Sequence, residues 1–171
     1  MAVAQAALAV KVLPVFHKRF AEFFEKYPEF ESISWVVRSD VYNDETYEDN
    51  IEDIGYTLSE ECVPECVLGY DSRVLDIRIT KVDLEIAEGK FPKYYNEAWY
   101  DDKYRERIRQ TTLKQIGTAK LLDEHIGADR RAELCTAWDN MEDFIQNTDI
   151  EFHVNVFGYE EVTVTKEGFG S

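Results

Sequence analysis

Five aromatic side chains recur at steps of three and four near the start of the chain. Phe16, Phe20, Phe23, Phe24 and Tyr27 fall on one stripe of a helix predicted from about Pro14 to Tyr27. Pro14 suits a first helical turn, and Pro28 forces the residue before it out of helical geometry. A stripe of this bulk belongs in a packed core, and the rest of the chain has the material for one: hydrophobic residues make up 44% of 171 residues and aromatics 13%. That apolar content argues against disorder, which the net charge of −16 alone would suggest. The length suits one ordinary domain.

Extended segments follow the helix. Ile33, Trp35 and Val37 alternate with Ser34, Val36 and Arg38, and Ile54, Tyr56 and Leu58 alternate with Gly55, Thr57 and Ser59. Both read as half-buried strands, with Ser39 to Asp53 as a long acidic hairpin loop between them. Leu75, Ile77 and Ile79 predict a third strand, and Val82, Leu84 and Ile86 continue it in the opposite phase, which calls for a bulge at Thr80-Lys81. A long helix is expected through Tyr104, Ile108, Thr112, Ile116, Ala119, Leu122 and Ile126, ended by Gly127. Asp129 is expected to cap a second helix with Leu134, Trp138, Met141 and Ile145 inward, giving a helical hairpin. Ile150, Phe152, Val154 and Val156 then alternate as a strand, and a turn at Gly158 leads to Val162 and Val164.

This order predicts a single α+β domain over residues 1–171. A largely antiparallel sheet is expected to pack against the N-terminal aromatic helix and the central helical hairpin, closed by a C-terminal β-hairpin.

The acidity is unevenly spread. Residues 39–72 hold eleven carboxylates and no Lys or Arg, and residues 132–171 hold nine against Lys166 alone. Residues 1–38 and 73–131 are close to neutral. A strongly acidic chain is a poor match for direct phosphate-tracking binding to nucleic acid. Like charge concentrated in one segment repels itself, so beyond a solvated loop it suggests a surface made for a basic partner. The candidate partner-binding residues are Asp40, Tyr42, Asp44, Glu45, Tyr47, Glu48, Asp49, Glu52, Asp53, Glu60 and Glu61. Carboxylates would steer and pair, and tyrosines supply contact area at low entropic cost. An EF-hand does not fit, because counting from Asp44 puts Asp49 where the loop needs glycine.

The expected function is that of a non-enzymatic acidic inhibitor. It would block a basic nucleic-acid-binding or nuclease partner by mimicking nucleic acid, as an anti-defence protein of a phage or an immunity protein for a toxin would. No cofactor or metal is expected, and the chain is expected as a monomer or homodimer. Three cysteines, Cys62, Cys66 and Cys135, give no disulfide framework and point to a reducing cytoplasm. The spacing of Cys62 and Cys66 lies in the loose range of a zinc knuckle, but a second pair is missing. No secretory signal is legible, since no basic residue precedes the apolar N-terminal stretch and Lys11 interrupts it.

Two alternatives come from elsewhere in the chain. Asp76, Asp83, Glu88 and Lys90 resemble the carboxylate–E-x-K pattern of divalent-metal nucleases, in which a lysine helps activate water. The charged outer face of an amphipathic strand accounts for the same residues. A virion structural or assembly subunit is the other alternative. A basic, aromatic stretch from Lys90 to Arg109 could stack bases, or meet the acidic segment of a second copy. An amphipathic helix start with its own ion pairs is the simpler explanation.

Overall fold

The computed structural model describes residues 2–42, 46–62, 74–96 and 100–170. Among them are five helices and a four-stranded antiparallel sheet, the mixed α+β class predicted from the element order. The elements are α1 (Ala2–Lys26), β1 (Phe30–Tyr42), β2 (Thr46–Leu58), α2 (Lys81–Ala87), α3 (Asp102–His125), α4 (Ala128–Asn147), α5 (Ile150–Phe157), β3 (Val162–Thr165) and β4 (Gly168–Gly170). Short 3-10 turns lie at Val74–Asp76 and Lys93–Asn96. Two compact units form, one from residues 1–62 with 133–171 and the other from 63–132.

The first unit holds the whole sheet, in the order β2-β1-β3-β4. β1 pairs with β2 from Phe30 opposite Leu58 to Tyr42 opposite Thr46, and with β3 only over Ser32–Trp35. Ile33, Trp35, Val37, Tyr56, Val162 and Val164 are buried, and the register puts them on one face. The aromatic stripe of α1 lands there as its spacing requires, with Phe20 stacked on Trp35 at 5.6 Å and Phe16 at 6.0 Å from the same ring. Trp138 of α4 meets Tyr56 at 4.7 Å and Phe30 at 6.3 Å. Several such contacts, each about 0.5–1.5 kcal/mol beyond area burial, make this aromatic cluster the centre of the unit.

Five local expectations are corrected. Helix α1 begins at Ala2, well before Pro14, which sits inside it. A proline there removes one backbone hydrogen bond and leaves the rest of the helix to hold the line. Most of the segment 39–53, expected as a loop, is strand: β1 runs to Tyr42 and β2 starts at Thr46, and residues 43–45 lie outside the described residues. Backbone ladder bonds do not require apolar side chains, so polarity concealed the strands.

The strands expected at 75–79 and 82–86 are a 3-10 turn and helix α2. Thr80 and Asp83 form a capping box: the Thr80 hydroxyl accepts from the Asp83 amide at 3.2 Å, and the Asp83 carboxylate accepts from the Thr80 amide at 2.9 Å. The change of apolar phase at Thr80-Lys81 is therefore a helix start.

The strand expected at 150–156 is also a helix, α5. Asp149 caps it by accepting from the Glu151 amide at 3.0 Å, and Gly158 ends it with φ of 72°. Adjacent Phe152 and His153 are both buried, which strict alternation forbids and a helix allows. The C-terminal hairpin exists one step later, as β3 and β4. Finally, Asp129 lies in the first turn of α4, which begins at Ala128 after Gly127 at φ of 93°.

In the second unit, α2 lies against α3, where Arg109 donates from Nε to the carbonyl of Ala87 at 3.0 Å. Asp101 caps α3 by accepting from the Tyr104 amide at 2.8 Å. Arg131 reaches the carbonyl of Ile77 at 2.7 Å and pairs with Asp123 at 3.4 Å.

Candidate protein-binding surface: an acidic ribbon

The part of β1 and β2 beyond Trp35 has no second sheet neighbour among the described residues, because β3 pairs only with Ser32–Trp35. What continues is a two-stranded ribbon of residues 36–42 and 46–52. Seven residues at about 3.3 Å each make it roughly 20 Å long. It carries most of the predicted acidic residues that the structure describes.

Register decides how they are arranged. Asp40 stands opposite Glu48, Arg38 opposite Asn50, and Val36 opposite Glu52, so these six share one face. Asp49 and Tyr47 lie on the other face, opposite Ser39 and Val41. Two carboxylates directly opposite are unfavourable. Asn50 relieves part of this by donating from Nδ2 to Asp40 Oδ2 at 3.1 Å.

Between Glu52 and Gly55 the register slips by one residue against Val36–Ser34. Asp53 occupies the extra place with φ of 54°. This bulge moves the core-facing positions of β2 from even numbers (Tyr56, Leu58) to odd ones (Ile51), so one strand serves both the core and the acidic face. It also places Glu52 and Asp53 around Arg38, at 3.3 and 2.9 Å. A charge count by segment separates Arg38 from these acids; the fold restores one counter-charge to the ribbon.

Tyr159 adds a long-range tie. Its hydroxyl donates to both Asp49 carboxylate oxygens at 3.2 and 3.3 Å, across 110 residues of sequence. Partial burial, then the Asp49 charge and hydrogen bond, hold the phenol above its ordinary pKa. The contact brings the turn carrying the exposed Glu160 and Glu161 to β2, joining the two acidic segments at this point. Other acids of the second segment serve the fold locally: Asp149 caps α5, and Glu167 meets the Thr165 hydroxyl at 3.1 Å.

The remaining candidate residues divide clearly. Tyr47 is 68% exposed near the ribbon tip. Tyr42 ends β1 opposite Thr46, and Asp44 and Glu45 lie outside the described residues. Glu60 and Glu61 are exposed but follow the other end of β2, about 30 Å of strand away from Glu48. They are not part of the ribbon. Arg38, Asn50 and Tyr159 were missed by sequence reasoning; only strand register or a tertiary contact reveals them.

The carboxylates of the nuclease pattern sit on different scaffolding from the strand it calls for. Asp76 ends a 3-10 turn, Asp83 caps α2 and accepts from both the Thr80 amide and hydroxyl at 2.9 Å, and Glu88 follows α2 and pairs with Lys90 at 3.4 Å. Cys62 is half-buried, with its thiol pushed up by burial and by the nearby Glu29 carboxylate, while Cys66 lies outside the described residues.

The basic, aromatic stretch forms a run of rings. Phe91, Tyr95, Tyr100 and Tyr104 follow one another with centroids 5.1–5.8 Å apart, and Tyr94 lies 4.3 Å from Tyr95. The guanidinium of Arg105 organises it, donating to the carbonyls of Tyr95 and Tyr100 and pairing with Asp102. Arg109 pairs with Glu106 at 3.3 Å, so these cations are largely engaged within the stretch.

No helix among the described residues is long and apolar enough to cross a membrane. Comparison with known protein families, curated sequences and solved structures finds no match.

Proposed function

We propose that this chain is an acidic binding protein that occupies the nucleic-acid site of a basic partner, either a nuclease or another nucleic-acid-binding protein. The observation that carries this reading is the ribbon beyond Trp35. It presents Asp40, Glu48, Asp49 and Glu52 with the exposed Tyr47, Asp53 stands at the bulge that ends it, and Arg38 is its only described cation. On one face of the ribbon Asp40 and Glu48 stand directly opposite each other, and Glu52 lies four residues along the same strand from Glu48, about 13 Å away. A narrow ribbon reaches into a concave basic cleft that a broad acidic surface would only cover. An anti-defence inhibitor and a toxin immunity protein are the two settings that suit such a device.

Capture from the native host, with mass-spectrometric identification, supplies the partner. Association is then measured against ionic strength and in competition with DNA. The expected result is an on-rate that falls about tenfold or more between low and high salt, and displacement by nucleic acid. The quadruple variant Asp40→Asn, Glu48→Gln, Asp49→Asn, Glu52→Gln is expected to slow association to a similar degree. Salt-insensitive binding, or full inhibition by that variant, rejects the proposal.

A further inference from the structure

The sheet order leaves β2 with a single strand neighbour. β1 occupies one side of it, and no described residue pairs with the other. From Thr46 to Glu52 the inner side pairs residue for residue with Tyr42 to Val36. The run ends at the bulge, where Asp53 at φ of 54° redirects the backbone. The outer side of Thr46–Glu52 is thus a regular edge roughly 20 Å long, with backbone N–H and C=O groups directed outward at alternate residues.

Charge restricts what can pair with it. A second copy of β2 would set Glu48, Asp49, Glu52 and Asp53 against the same four residues, and like charges across a strand pair are unfavourable. The edge is closed to its own kind. An extended segment bearing Lys or Arg meets the opposite situation, with each carboxylate of β2 facing a cation.

We propose that the basic partner docks by adding an extended, lysine- or arginine-bearing segment to the outer edge of β2 over Thr46–Glu52. Backbone pairing supplies the grip and the carboxylates select the strand. This inference rests on the acidic-ribbon reading above and adds the mode of recognition. It also assigns the bulge a role, since Asp53 marks where pairing stops.

The test uses the full chain and a capped seven-residue peptide alternating lysine with threonine and valine. Two controls keep its charge but are N-methylated on one or the other alternate set of backbone amides; a third replaces lysine with glutamate. Binding is followed by NMR titration at low salt, and hydrogen exchange is measured on the amides of Thr46–Glu52. The expected result is binding of the parent peptide, at least tenfold weaker binding of one N-methylated form, slowed exchange at alternate amides of Thr46–Glu52, and no binding of the glutamate peptide. Equal binding of both N-methylated forms and the parent overturns edge pairing while leaving the acidic surface intact. Equal binding of the glutamate peptide overturns the charge selection, and the acidic-ribbon reading with it. Failure of the parent peptide to bind overturns the proposal.

Discussion

His153 gives the sharpest quantitative expectation. It is 0% exposed, and its ring lies 5.9 Å from Phe16, Trp35 and Phe152 and 6.0 Å from Phe157. Nε2 lies 3.2 Å from the carbonyl of Ile145, so the tautomer that donates there leaves Nδ1 as an acceptor without a partner. Burial in this aromatic shell pushes its pKa below the ordinary histidine value, against smaller opposing effects of the Ile145 bond and the Asp149 charge. The folded state therefore holds His153 neutral at a pH where the unfolded chain already takes up the proton. The unfolded state binds more protons below about pH 6.5, so stability is full above that pH and falls as pH drops toward the lower folded pKa. The slope from this one group is at most about 1.4 kcal/mol per pH unit. Urea denaturation midpoints at pH 7.5, 6.5, 5.5 and 5.0 measure it, with His153→Gln as the reference, since an amide can still donate to Ile145. The native protein should lose stability over this range relative to the variant, by no more than about 2 kcal/mol. Parallel pH profiles for the two proteins would refute the argument.

Three further expectations follow from local geometry. Asp53→Val should destabilise the fold by about 1–2 kcal/mol in denaturant titrations, because a β-branched residue is strained at φ of 54° and the 2.9 Å pair with Arg38 is lost. Asp53→Gly should be much milder, since glycine accepts that conformation. Thr80→Ala removes the capping box of α2 and should cost about 1 kcal/mol, with fraying of α2 visible in hydrogen exchange; unchanged exchange there would contradict the cap. Trp138→Ala empties a site that is 1% exposed between Phe30 and Tyr56, and thermal or chemical denaturation should show a loss of about 3–5 kcal/mol.

Legibility of the fold varied with the kind of signal. The stripe of Phe16, Phe20, Phe23 and Phe24 is unambiguous because no other period buries all four. Around Val82–Ile86 and Ile150–Val156 a period of two fitted the apolar residues, yet both segments are helices. In runs of seven or eight residues the two periods share many positions, and the end caps decide. Those caps were present in the sequence, as Thr80 with Asp83 and as Asp149 with Gly158. The ribbon failed in the opposite direction. Its strands are polar, and a hairpin stabilised by its backbone ladder leaves no hydrophobic alternation to read.

The class of fold, the aromatic core and the concentration of carboxylates in two segments are all legible in the order of the amino acids. These follow from composition and local period, which are properties of neighbouring residues. Which carboxylates share a face was decided by the pairing of β1 with β2, the bulge at Asp53, and the contact from Tyr159 to Asp49. Each depends on residues brought together by chain folding. A one-residue slip of register exchanges the two faces of a strand, and local sequence carries no count of such slips.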